Sequence, residues 1–150
     1  MNQYAGAHPQ DPDGRSTPPR ALGRQEERTL SAAAHGVPLV AFVLSAGTLG
    51  FLASLVIYLV YRDRGPFVRM HAVNSLNAQL SVLLYLVVSG IICAVGAVLL
   101  VVLVGIVPLL LGGLGILASL ALLLWVHCVG AVRAWDGQPY DPPLTIRFIR

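Results

Sequence analysis

A stripe of amide, hydroxyl and imidazole side chains occupies "HAVNSLNAQLS", from His71 to Ser81. At helical spacing His71, Ser75 and Gln79 fall at i, i+4 and i+8 on one face, and Asn74, Asn77 and Ser81 line the neighbouring one. At the start of a membrane helix such groups can bond to other helices, line a wet cavity or bind a substrate. Polar contacts between membrane helices average about 0.6 kcal/mol and reach roughly 2 kcal/mol, so helix packing is reason enough for the stripe. A polar cavity is the alternative.

The second candidate is His127. It is the one strongly polar side chain in the run from Leu80 to Val132, which contains no Asp, Glu, Lys or Arg. An ionisable residue inside a membrane segment is a functional candidate by default. Lying close to Arg133, it is also placed to snorkel or to bond a carbonyl. A b-type haem would need His127 to face another histidine such as His35, a pair with no spacing support. Cys93 and Cys128 both sit in apolar stretches outside any CxxC motif and read as small packing residues. No catalytic residue, cofactor or metal ligand set is read from the chain. The acids nearest the spans, Asp63 and Asp136, lack a partner His or Cys at useful spacing, so an enzyme is not expected.

The elements that position these residues are hydrophobic. The chain has 150 residues, is 56% hydrophobic and 11% charged, and its mean hydropathy is +0.74. A bilayer core takes about 20 apolar residues per helix, so Leu80–Val132 supplies two spans and a tight turn. The alternation of a membrane β-barrel is missing. The fold class expected is therefore all-α, a polytopic helical membrane protein with three hydrophobic segments. The first segment runs from Leu30 to Val60, longer than one span needs. Pro38 and "GTLG" at 47–50 are places where it can bend, so one span and a re-entrant hairpin both stand.

The Pro- and Gly-rich head, residues 1–23, has too little apolar surface to offset its ordering entropy and reads as a disordered tail. It shows no signal-peptide core, which leaves the spans of the helical transmembrane domain, 24–150, to direct insertion. Gly65 and Pro66 start the second segment, with Pro66 suited to a first helical turn. From Phe67 to Val104 an unbroken helix would be about 57 Å long at 1.5 Å per residue, so its first turns must lie outside the hydrocarbon or in a lined cavity. Gly105 to Pro108 breaks it, and a third span runs from near Leu109 to about Trp135, an interfacial anchor. Small residues recur at steps of four, at Ala46, Gly50 and Ser54 and again at Ser89, Cys93 and Ala97, as helix-contact stripes. The tail ends in an alternation, Leu144, Ile146 and Phe148 against Thr145 and Arg147, that could lie on the membrane as an extended strip.

All ten basic residues are Arg. They are spread over juxtamembrane segments without an aromatic platform, so nucleic acid is not an expected partner. Arg62, Arg64 and Arg69 in one loop and Arg133, Arg147 and Arg150 at the end place that loop and the C-terminus in the cytoplasm. One full first span would put the N-terminus outside, whereas a hairpin would gather all ten Arg on one side.

The blocks "PFVRMHAVNSLNAQLS" and "QPYDPPLTIRFIR" resemble the two signatures of a family of small bacterial membrane proteins grouped as a domain of unknown function. That family has been likened to the Tic-type import component of the chloroplast inner envelope. "EERTLSAAAH" resembles the family's usual start, and the likeness covers roughly residues 25–150. His71, Asn77, Gln79 and the ending "PLTIRFI" stand where family members have them, while Ala78 replaces a common aromatic. The resemblance implies membrane placement and fold, with no agreed activity. The expectation is a structural or accessory component of a membrane assembly in the cell membrane, partnered by the lipid bilayer, by a second copy or by another membrane protein. Its alternative is a small oligomeric channel or transporter lined by His71, Asn74, Asn77 and Gln79.

Overall fold

The structure, a computed structural model, describes residues 22–149 except Ala46 and Thr48. The expectation of a disordered head falls almost wholly outside the described residues. Four helices follow in order: α1 Arg24–Leu44, α2 Gly50–Tyr61, α3 Pro66–Leu99 and α4 Ile106–Trp135, with a 3₁₀ turn at Leu100–Val102. Among the described residues there is no strand.

The first hydrophobic segment is a hairpin of two helices. α1 opens with Glu26 and Glu27 in its first turn, where carboxylates suit the positive end of the helix dipole. It ends where the Ser45 hydroxyl donates to the Ala41 carbonyl at 2.6 Å. The Gly47 N–H then reaches back to the Phe42 carbonyl at 2.7 Å. Gly47 has φ +98°, a left-handed value that a side chain would strain. Ser45 also accepts the Leu49 N–H at 2.8 Å, which helps start α2. The two helices run antiparallel, since Gly50 closes on Pro38 and Phe42 while Ile57, further along α2, packs with Ala34. With 12 residues, α2 is too short for a span. The single-span alternative is thereby set aside, because the backbone reverses at Gly47.

α3 and α4 are the two helices long and apolar enough to cross a membrane. α3, with 34 residues, is about 51 Å long at 1.5 Å per residue. It stops short of the expected Val104 because Leu103 turns left-handed, φ +59°. α4 starts at Ile106, ahead of the expected Leu109, with Pro108 inside its first turn, where no intrahelical N–H bond is needed. A Cβ on Gly105 would collide with the Gly96 carbonyl, so the reversal needs glycine there.

Ser54 meets Ser75 and Ile57 meets Ala72, so α2 and α3 are also antiparallel. Gly50, at the far end of the α1–α2 hairpin, lies beside the Gln79 amide. The molecule is therefore a four-helix base up to about Gln79, from which α3 and α4 continue alone. That extension exposes Ile91, Val98, Val101, Leu110 and Leu117, an apolar surface that only a bilayer or a partner would cover. Inside it the contact is made of small groups: Ser89, Gly96, Gly112 and Ser119 are buried. The expected Ser89 and Cys93 belong to this contact, but Ala97 is exposed and Gly96 takes its place. Gly50 and Ser54 of the other stripe also face within the chain, and Ala46 lies outside the described residues.

A polar core and a docked tail as the candidate functional site

The two faces of α3 have separate partners. On the first, each side chain meets a different helix. His71 Nδ1 is 3.2 Å from His35 Nε2 on α1, Ser75 Oγ is 3.3 Å from Ser54 Oγ on α2, and Gln79 Nε2 is 3.2 Å from His127 Nε2 on α4. All three histidines are fully buried. Their rings meet edge to face, with His35 centroids 5.4 Å from His71 and 5.8 Å from His127. The ring of His35 lies against Gly130, where a Cβ would stand 2.6 Å from it.

Carbonyl oxygens only accept, and that assigns the tautomers. His71 Nε2 donates to the Gln138 carbonyl at 3.2 Å, so its Nδ1 accepts from His35 Nε2. His127 Nδ1 donates to the Leu123 carbonyl at 3.1 Å, so its Nε2 accepts from the Gln79 amide. His35 Nδ1 is left as a buried lone pair without a partner, as are the Ser31 and Tyr140 hydroxyls. His127 does bond a carbonyl, and it faces His35. The Nε2 atoms that a bis-histidine haem would use are both engaged elsewhere.

The second face holds the C-terminal tail. Asn74 Nδ2 donates to the Tyr140 carbonyl at 2.5 Å. Asn77 grips Ile149 twice, donating to its carbonyl at 2.9 Å and accepting its N–H at 3.0 Å. Ser81 accepts the Ile146 N–H at 2.8 Å and donates to the Asn77 carbonyl. Tyr85 donates to the Leu144 carbonyl at 2.8 Å. Every tail atom gripped by these side chains is backbone. α4 ends in a turn through Gly137, φ +73°, with Gln138 N–H bonded back to the Arg133 carbonyl at 2.8 Å, a helix stop that favours glycine.

From there the tail descends α3 from the level of His71 to that of Tyr85, about 21 Å of helix. It reverses at Leu144, φ +53°, and climbs back to Asn77. Leu144, Ile146 and Phe148 face outward. An extended segment in an apolar setting needs a partner for each N–H and C=O, and the second face of α3 supplies many of them. The Arg147–Asp141 ion pair at 2.5 Å joins the two limbs but is exposed and contributes little. Burial pushes the Tyr140 phenol up, with Arg133 pulling the other way.

All five candidates of the stripe, His71, Asn74, Ser75, Asn77 and Gln79, are thus brought together on α3, and His127 joins them. Sequence reasoning gave no such role to Tyr85 or the tail backbone, and it named His35 only as a haem partner for His127 and Ser54 only as a small helix-contact residue. Ser31 and His35, one turn apart on α1, were the available hint. Among the described residues no group of three or more His, Cys, Asp or Glu is placed to hold a metal ion.

The family model of the magnetosome magnetite crystal formation proteins matches residues 26–149. The chain belongs to that family. No curated protein and no solved structure matches it. The magnetosome family match begins at Glu26, where the "EERTLSAAAH" block starts, and it takes in α1 to α4 and the docked tail. It lends no support to the Tic-type likeness.

Proposed function

We propose that the chain is a non-enzymatic structural or accessory component of a magnetosome-type membrane assembly, taking part in magnetite crystal formation as its family's description says. One observation carries this reading. The polar side chains that could have lined a path or held a substrate are bonded to other helices and to the tail. What they support is a rigid base, from which two apolar helices extend into the bilayer. Partners are the bilayer and other membrane proteins or copies of itself. Affinity capture of the tagged chain from native membranes should return a defined set of membrane proteins. Recovery of the bait alone would count against an assembly role.

A channel lined by His71, Asn74, Asn77 and Gln79 is the competing reading. Purified protein in liposomes should show no ion or solute flux, and Asn74→Ala with Asn77→Ala should change only stability. Flux that these substitutions abolish would replace the structural reading with a channel.

The hairpin also bears on orientation. It brings Arg24, Arg28, Arg62, Arg64, Arg69 and Arg133 to one end of the bundle, while the Gly47 and Leu103 turns carry no charge. The positive-inside bias supports a cytoplasmic location for that end, with the start of α1 and the end of α4 on the same side. A periplasm-active reporter fused after Arg150 should be silent, and full activity would reverse the orientation.

A further inference from the structure

At the arginine-bearing end, Arg24, Glu27, Arg28, Phe67 and Gly137 line a groove of about 320 Å³. Arg24 and Arg28 are one turn apart on α1, so their side chains share a face. Arg62 and Arg147 pair with aspartates, but Arg24 and Arg28 have no ion pair or hydrogen bond among the described residues. The room for Arg28 is built in: a Cβ on Gly137 would stand 2.7 Å from its Nε, and the left-handed turn of Gly137 holds that position open. One turn further along α1, Ser31 is fully buried with its hydroxyl unpartnered. Phe67, on the opposite wall, stacks edge-on against His71 with centroids 4.7 Å apart, so the groove sits directly over the histidine core.

We infer that this groove binds a phosphate group, held between the Arg24 and Arg28 guanidiniums. Two guanidiniums form a fork suited to phosphate oxygens. On the orientation proposed above, the groove is on the side whose leaflet carries anionic headgroups, so an anionic phospholipid is the expected carrier of that phosphate. Glu27 on the rim weakens the site and limits it to ligands that bring a full negative charge.

The test uses the full chain in phosphatidylcholine nanodiscs titrated with phosphatidylglycerol, read as the rise in melting temperature and as bound lipid by native mass spectrometry. A basic residue near an anionic surface is worth about 1 kcal/mol, or roughly fivefold in affinity. Arg24→Gln with Arg28→Gln should therefore weaken binding by at least roughly 25-fold, and by clearly more than Arg62→Gln with Arg64→Gln at the same end of the bundle. Glu27→Gln should tighten binding, a sign that misfolding cannot imitate. Inorganic phosphate added to the protein in neutral lipid separates the sources: an equal thermal shift would make free phosphate the ligand, and none would make it the lipid. Equal losses from the two arginine pairs would reduce the effect to diffuse surface attraction and overturn the site, as would weaker binding by Glu27→Gln. The outcome is independent of whether the chain serves an assembly.

Discussion

Asn77→Leu is expected to lower stability by about 2–3 kcal/mol and to free the C-terminal tail. Asn77 is 2% exposed, and its amide makes two hydrogen bonds to the backbone of Ile149. Leucine would remove both and leave an N–H and a C=O without partners beside an apolar helix. Leaving a buried polar group unsatisfied costs about 1–3 kcal/mol, well above the roughly 0.6 kcal/mol average for polar contacts between membrane helices. In detergent the melting temperature should fall, and limited proteolysis should remove residues after Gly137 from the variant before it cuts the wild type. An unchanged melting temperature and an equally protected tail would mean that Asn77 does not hold Ile149.

Gly112→Ala is expected to cost about 1–3 kcal/mol, the range for overpacking a tight contact. A Cβ there would stand 2.6 Å from Cys93 Sγ and 2.7 Å from both Cys93 N and the Ser89 carbonyl. Two of those atoms are backbone, so relief requires α3 and α4 to separate. The neighbouring Gly113 has nothing within 4 Å of its Cβ position. Gly113→Ala should therefore be neutral or slightly stabilising, since alanine is the better helix former by about 1 kcal/mol. Equal effects at the two positions, measured as unfolding in detergent, would remove the close approach of α3 and α4.

Much of this arrangement was legible in the chain, and particular residues show why. The charge-free run from Leu80 to Val132 marked two helices long and apolar enough to cross a membrane. Helical spacing alone separated His71, Ser75 and Gln79 from Asn74, Asn77 and Ser81, and the structure gives those two sets different partners. The small residues Ser89 and Cys93 marked the face of α3 that packs on α4. The identity of the partners was not legible. His35 and His71 are brought together only because Gly47 turns the first segment back on itself, and the sequence there allowed a straight span equally well. Leu144, Ile146 and Phe148 are exposed as an alternation would have them, but Arg147 is exposed beside them and the chain turns at Leu144. That the tail lies along α3 with its backbone inward follows from bonds to Asn74, Asn77, Ser81 and Tyr85 across more than 50 residues of chain, and no local pattern encodes such a pairing.

The central claim is that the polar face of α3 holds the tail as a re-entrant strap. The Ser81 hydroxyl accepts the Ile146 N–H at 2.8 Å, which brings the two residues within reach of a short reducible bis-maleimide, although the Ile146 side chain faces outward. Ser81→Cys with Ile146→Cys, in a chain whose Cys93 and Cys128 are replaced by Ser, should be joined by that reagent in native membranes within one chain. After cleavage of an engineered protease site between residues 137 and 138, the tail should stay attached until reductant is added. Prompt loss of the tail without reductant, or crosslinking only between chains, would contradict the docked strap and the structural role assigned to the stripe.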